Sequence, residues 1–420
     1  MKYISFGKIE GKFVIIVIII IIVNIPTALY EVSSTDDYFK NSRIMTVTLK
    51  HTGLSLCFIP HLIVKAESQK GVKKKSSLKY KFLLIIFISI LYLIHDFAYI
   101  FSDRLIQVEI RESPIKNITH LHLQGNFFFF FIVISIISSF LFKKKYYKHQ
   151  YISMFIIITL GIIRYIVKLY SYLNNKTISL VLMFGEIGFH ILIYICNALY
   201  LSLTKLLIEN LFVTPWKISF YIGIINVFLN LSLYFLFTMI PFEKKTWYCS
   251  IQYKDKYYID NIFSFFEVYS QRFTKIIQFF IIHLLTSIRY ISFNLILEKY
   301  FFFHIFLSYQ LINFLRNIIK VINLDEFGSF IDFIIIITFL LELFANSVLL
   351  EFVILNFCGL NKDTKVNIIM RAIEDLNSSN ENDNMLYKVN LGDSYYSYLE
   401  EGKSNSETSN EGVELMNSEF

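Results

Sequence analysis

The sequence predicts an all-α fold, a polytopic transmembrane helical bundle of about ten spans. Of its 420 residues, 55% are hydrophobic and only 17% are charged, with 44 Phe and 28 Tyr. A water-soluble fold of this length could not bury that much apolar surface. The apolar residues also gather into runs near the ~20 residues that cross the ~30 Å hydrocarbon layer of a bilayer. The lipid bilayer is therefore the predicted partner of the chain.

The runs differ in quality. The first contains an unbroken apolar stretch from Phe13 to Val23, whereas Lys50 and His51 interrupt the second. The last is long enough to tilt or to continue as a cytosolic helix. An alternative interpretation of the first run is a signal peptide cleaved after Ala28, since lysines precede it. In chain order the predicted spans are Gly11–Tyr30, Ile44–Val64, Phe82–Phe101, Asn126–Phe142, Tyr151–Tyr170, Ile178–Thr204, Ile218–Pro241, Phe273–Phe293, Phe301–Val321 and Phe330–Phe357.

Two short loops are much more basic than the others and predict the orientation of the chain. They follow the second and the fourth predicted span, and they contain Lys65, Lys70, Lys73, Lys74, Lys75, Lys79, Lys81, Lys143, Lys144, Lys145 and Lys148. Lys and Arg accumulate in cytoplasmic loops, so both loops are assigned to the cytosol. Because each follows an even number of spans, the N-terminus and the C-terminus are predicted to be cytosolic as well. The sequence does not identify the membrane.

Composition divides the chain into two parts. Residues 1–357 are predicted to form the transmembrane helical domain, and residues 358–420 a cytosolic, mostly disordered polar tail. Ser, Asn, Glu and Asp dominate from Asp375 onward, and such a segment buries too little apolar surface to fold alone. The net charge of +7 reflects lysines beside the spans rather than a basic nucleic-acid face, so no nucleic-acid partner is predicted.

Charged and titratable residues near the middle of predicted spans are the candidate functional residues. A charge at membrane depth needs an opposite charge, water or a substrate. Lys50, Glu186, His190 and Glu342 are therefore predicted to bind a substrate in one central cavity. In that hypothesis Lys50 meets an anionic group, the two carboxylates balance it or carry a proton, and the imidazole relays that proton. The alternative for each residue is structural pairing between helices.

Enzymatic chemistry is not favoured by the sequence. It contains no glycine-rich phosphate loop, no HExxH motif and no nucleophile elbow, and its four cysteines lack metal-binding spacing. No cofactor or metal is therefore predicted. One enzyme interpretation remains open: Asp36 and Asp37 follow the first span, where membrane glycosyltransferases that use lipid-linked sugars keep an acidic residue. An acidic pair in a short loop is otherwise simply solvated.

Three segments resemble parts of the drug/metabolite transporter superfamily and of multi-pass proteins of lower eukaryotes. They are Asn24–Ala28 at the end of the first span, Arg43–Cys57 with a lysine inside the second, and Glu351–Asn361 after the last. The resemblance covers about a quarter of the chain and implies ten spans with both ends in the cytosol. The chain departs from such carriers in its few glycines and prolines, 14 and 5 in total.

A transporter of small polar or anionic solutes is the leading functional interpretation. It predicts two similar five-span halves of opposite topology around a mid-membrane site. A non-catalytic scaffold or receptor-like protein is the main alternative and predicts a packed bundle without a cavity. A channel and a lipid-directed glycosyltransferase are further alternatives, the latter requiring a groove beside Asp36.

Overall fold

The described part of the chain is all-α apart from two small antiparallel sheets. The computed structural model describes residues 4–6, 10–33, 43–67, 78–112, 127–143, 146–174, 180–249, 251–270, 273–324, 330–356, 360–362, 364 and 367–371. The helices are α1 (Gly11–Ser33), α2 (Arg43–Ser55), α3 (Phe58–Glu67), α4 (Leu78–Glu112), α5 (Phe127–Leu141), α6 (Lys148–Asn174), α7 (Leu180–Glu209), α8 (Pro215–Met239), α9 (Ile262–Ser270), α10 (Phe273–Lys299), α11 (Phe302–Leu324) and α12 (Phe330–Leu349). The strands are β1 (Ile4–Phe6), β2 (Ile251–Tyr253), β3 (Lys256–Tyr258) and β4 (Val353–Leu355). The predicted disordered tail from Asp375 onward lies outside the described residues.

Five helices in the described part of the chain are long and apolar enough to cross a membrane, which indicates an integral membrane protein. They contain Lys79–Ser102, Lys148–Val167, Phe184–Glu209, Pro215–Met239 and Phe280–Lys299. The shorter apolar segments are Gly11–Pro26, Phe128–Leu141, Phe302–Ile312 and Ile336–Leu349. Large side chains such as Phe155 and Phe228 point outward from these helices, as contact with lipid requires.

Two predicted spans differ from the structure. The second is broken, because α2 ends at Ser55 and α3 begins at Phe58. Pro60 explains the break: it has no N–H for a continuous helix but is tolerated in the first turn of a new one. The last helix ends at Leu349 instead of continuing to Phe357, since Glu351 adopts a left-handed conformation with φ 61°. The chain then enters β4.

Helix packing repeats within the chain. The first half can be taken as α1 to α6, with α2 and α3 as one broken segment, and the second half as α7, α8, α10, α11 and α12. When the two halves are exchanged, most contacts between helices map onto other observed contacts. The contact of α4 with α7 corresponds to that of α10 with α1, α5–α7 to α11–α1, and α2–α10 to α8–α4. Two contacts, α2–α8 and α6–α12, join a segment to its own counterpart. The α7–α10 and α10–α11 contacts have no counterpart among the principal ones.

The segment before α1 and the segment after α12 lie together at one pole of the bundle, here called the N-terminal pole. Strand β1 pairs antiparallel with β4, which follows α12. Tyr300, between α10 and α11, donates a hydrogen bond of 2.5 Å to Glu10, directly before α1. Lys205 near the end of α7 donates to the Tyr300 carbonyl at 2.9 Å, and His149 at the start of α6 lies 3.2 Å from Glu351. These contacts gather the ends of six helices on one side.

The opposite pole, here called the far pole, is covered by the loop of residues 242–261, which contains the β2–β3 hairpin. Arg104 at the end of the apolar part of α4 donates to the Tyr248 carbonyl of this loop at 2.6 Å. Asp260 accepts a hydrogen bond of 2.9 Å from the backbone N–H of Ile44 at the start of α2. The loop therefore binds the ends of α2 and α4, and successive segments run alternately between the two poles.

Candidate functional site

Lys50 and Asp96 form a buried ion pair between α2 and α4. Lys50 Nζ lies 2.6 Å from Asp96 Oδ1, and both side chains are buried. His51 Nε2 lies 2.8 Å from Asp96 Oδ2, and His95 Nδ1 lies 3.1 Å from Oδ1. The carboxylate of Asp96 therefore contacts one ammonium group and two imidazole rings. A buried ion pair is tolerated only when such additional hydrogen bonds offset its loss of hydration.

Close helix packing fixes the backbone of Lys50. Its carbonyl accepts a hydrogen bond of 2.7 Å from Ser287 Oγ on α10. Gly53 allows α10 to come this close, because a Cβ atom at that position would lie 2.1 Å from Ser287 Oγ. Lys50 is thus held by two helices: α10 contacts its backbone, and α4 contacts its ammonium group.

Aromatic rings enclose the Lys50 ammonium. Nζ lies 5.4 Å from the ring centre of Tyr92 and 4.7 Å from that of Tyr290, distances at which cation–π attraction acts. The ring centres of Tyr92 and Tyr200 are 4.3 Å apart. Arg289, next to Tyr290, donates a hydrogen bond of 3.0 Å to Asn24 Oδ1 on α1. Charged and hydroxylated side chains from α1, α2, α4, α7 and α10 therefore meet in one region.

Glu342 belongs to a second buried ion pair. Arg164 Nη1 on α6 lies 2.5 Å from Glu342 Oε2 on α12, and the guanidinium carbon lies 4.3 Å from the Phe339 ring centre. Gln310 on α11 accepts a hydrogen bond of 3.4 Å from Asn346, which lies one turn after Glu342 on α12. Glu342 is thus neutralised by a neighbouring helix rather than by Lys50.

Glu186 and His190 are both buried on α7, one turn apart. His190 Nδ1 lies 2.9 Å from the Glu186 carbonyl oxygen and 3.8 Å from its carboxylate. The contacts described for the four residues predicted to share one cavity go to different helices. Lys50 contacts α4, Glu342 contacts α6, and the Glu186–His190 pair lies within α7.

Stacked and tilted rings connect these groups. Tyr290 contacts Phe293 with ring centres 6.2 Å apart, and Phe293 contacts Tyr309 at 4.6 Å. Phe130 lies 6.0 Å from Tyr309 and 6.5 Å from Tyr194, and Tyr194 lies 6.4 Å from the His190 ring. A continuous aromatic path therefore runs from the Lys50 region to the buried imidazole on α7.

Asp96 and Arg164, the ion-pair partners of Lys50 and Glu342, were not among the predicted site residues. Each of the two lies in a predicted span and carries a charge opposite to that of its partner. The available signal was the rule that a charge at membrane depth needs an opposite charge. That rule could not select the partners, because Lys50 and Asp96 are 46 positions apart in the chain.

Comparison with known proteins gives little further guidance. No family model matches the sequence, and no curated protein matches it. The comparison with solved structures finds eighteen matching chains. One of them, titled "Crystal structure of protein", is 11% identical, covers 81% of this chain and 96% of its own, and gives a TM-score of 0.47. A TM-score of this size is too low to establish a shared fold.

Proposed function

We propose that this chain is a ten-span membrane transporter of small polar or anionic solutes, with both termini in the cytosol. The exchange symmetry of the helix contacts carries the proposal. Each half contains five segments, and α7 starts at the pole opposite to the start of α1. Two halves of opposite direction around a shared site are the plan of many secondary transporters. The broken segment α2–α3 is included as a span because it runs along its counterpart α8.

The position of the buried charges supports the same function. The α2–α8 contact joins a segment to its own counterpart, so α2 lies beside the axis that relates the halves. Lys50 and Asp96 are therefore near the centre of the bundle, where a transporter of this plan binds its solute. An anionic solute would compete with Asp96 for Lys50. The resemblance of three segments to the drug/metabolite transporter superfamily is in line with this interpretation.

The orientation can be tested with epitope tags. Tags at the two ends and in the loop after Lys75 should all be accessible to protease from the cytosolic side of sealed vesicles, because the basic loops favour that side. The pairing of β1 with β4 supports the proposal, because it joins Ile4–Phe6 to Val353–Leu355 on one side of the bundle. A protected C-terminal tag with an accessible N-terminal tag would contradict the proposed topology.

Transport can be tested with the purified protein in liposomes. Radiolabelled succinate, lactate, ribose and glutamine serve as anionic and neutral probes. At least one should enter protein-containing vesicles faster than protein-free ones, and Lys50→Ala should lower that rate by about tenfold or more. Glu209→Gln, a change at a half-exposed carboxylate of the N-terminal pole, is the matched control and should leave the rate unchanged. Absence of uptake of all four probes would exclude the proposed solute classes.

A further inference from the structure

The buried face of α8 carries two asparagines whose hydrogen-bonding groups are not used. Asn226 and Asn230 are both 0% exposed. Neither the amide nitrogen nor the amide oxygen of either side chain has a hydrogen-bond partner among the described residues. A buried polar group without a partner is costly, and here two residues one helical turn apart carry four such groups. By contrast, buried Asn294 on α10 donates a hydrogen bond of 2.8 Å to Ser219.

Neighbouring contacts place the two asparagines opposite the Lys50 segment. A Cβ atom on Gly223 would lie 2.9 Å from the His51 carbonyl oxygen of α2. Tyr234, nearly three turns further along α8, packs with Ile44 at the start of α2. The two helices therefore run antiparallel, and the positions between Gly223 and Tyr234 face the positions between His51 and Ile44.

The same contacts include α4. Ile100, one turn after Asp96, belongs to the cluster around Tyr234 and Ile44. Asn226 and Asn230 therefore lie at the level of the Lys50–Asp96 pair, on a helix that contacts both α2 and α4.

The groups of this region that still need hydrogen-bond partners are uncharged. Lys50 and Asp96 neutralise each other at 2.6 Å, so a neutral solute can bind beside them without breaking the ion pair. The unused groups are amide N–H donors and amide C=O acceptors, which pair side by side with another amide edge. The rings of Tyr92 and Tyr290 next to Lys50 add a flat apolar surface.

We infer that Asn226 and Asn230 form the solute-recognition site of this protein, and that its solute is a small planar neutral molecule presenting a donor and an acceptor side by side, as carboxamides do. The inference rests on the proposed transport function and narrows its solute class from polar or anionic to polar and neutral. Asn226 and Asn230 are specificity-determining residues in this scheme, and the Lys50–Asp96 pair remains intact when the solute binds.

Benzamide and benzoate test the inference, because they have nearly the same shape and differ in charge. Binding to the full-length protein in detergent is measured by isothermal titration calorimetry. Benzamide should bind saturably and benzoate should not. Asn226→Leu and Asn230→Leu should each weaken benzamide binding by about tenfold or more, since each removes a hydrogen-bonding amide. Asn294→Leu is the matched control, because it replaces a buried asparagine whose amide nitrogen already donates to Ser219, and this variant should bind benzamide as the wild type does.

A second measurement does not depend on how well the leucine variants fold. Asn226→Cys and Asn230→Cys should react with neutral methyl methanethiosulfonate, read at each position by mass spectrometry, and benzamide should slow the reaction. Equal benzamide affinity in wild type and both leucine variants, preferential binding of benzoate, or no protection of the new cysteines would each overturn the inference. Benzamide binding without uptake of any solute into vesicles would support the inferred site and contradict the proposed transport function. Uptake without benzamide binding would support transport and contradict the inferred site.

Discussion

Replacing one partner of the Lys50–Asp96 pair should destabilise the protein far more than replacing both. Lys50→Met keeps the length of the side chain but removes its charge, so Asp96 keeps only its contacts with His51 and His95. In Asp96→Asn, the Lys50 ammonium lies near two tyrosine rings and faces a neutral amide instead of a carboxylate. The double variant Lys50→Met/Asp96→Asn leaves no unbalanced charge in this region of the bundle.

The expected magnitude follows from the geometry. At the observed 2.6 Å, two unit charges attract each other by about 6 kcal/mol at an effective dielectric constant of about 20. Lost hydration offsets much of this attraction, and removal of one partner of a buried pair costs about 3–5 kcal/mol. Each single variant should therefore lose about 3–5 kcal/mol of unfolding free energy. The double variant should lose about 1–2 kcal/mol, which gives a coupling energy of at least about 4 kcal/mol.

Unfolding by sodium dodecyl sulfate in mixed micelles, followed by circular dichroism, measures these free energies. Glu209→Gln is the control, because Glu209 pairs with Lys205 at 2.7 Å but its side chain is 41% exposed. That change should cost less than about 1 kcal/mol. If the two single variants lost stability additively in the double variant, the ion pair described between α2 and α4 would not exist in the protein.

Three other predictions concern the remaining packing. Arg164→Met or Glu342→Gln alone should lower the unfolding free energy by about 3–5 kcal/mol and the double variant by much less, in the same micelle assay. Burial raises the pKa of the Cys249 thiol, so it should react slowly with iodoacetamide at pH 7; Arg104→Gln should release the far-pole loop and speed that reaction several-fold, whereas an unchanged rate would contradict the contact. Gly223→Ala should lower stability by about 1–3 kcal/mol, because the new Cβ would lie 2.5 Å from a backbone nitrogen of α2; a neutral effect would contradict the close contact of α2 and α8.

The sequence was most informative about properties that each segment has by itself. Nine of the ten predicted spans overlap apolar helical segments in the described part of the chain, and five of these segments are long enough to cross a membrane, because hydropathy is a local property. Helix ends were less predictable. The break at Pro60 follows from its missing N–H, but the same proline could have kinked a continuous helix. The pairing of β1 with β4 joins residues near the two ends of the described chain, and neither strand has enough length to be recognised alone.

The candidate site was only half predictable for the same reason. Lys50, Glu186, His190 and Glu342 are recognisable from the sequence because a charge inside an apolar run is costly wherever the run packs. Their partners are not, since the pairing of Lys50 with Asp96 and of Arg164 with Glu342 depends on which helices come into contact. That choice depends on side-chain shape along each helix face, including the absence of a Cβ at Gly53 and Gly223. Hydropathy therefore determined that the chain enters a membrane, and tertiary packing decided which buried charges meet.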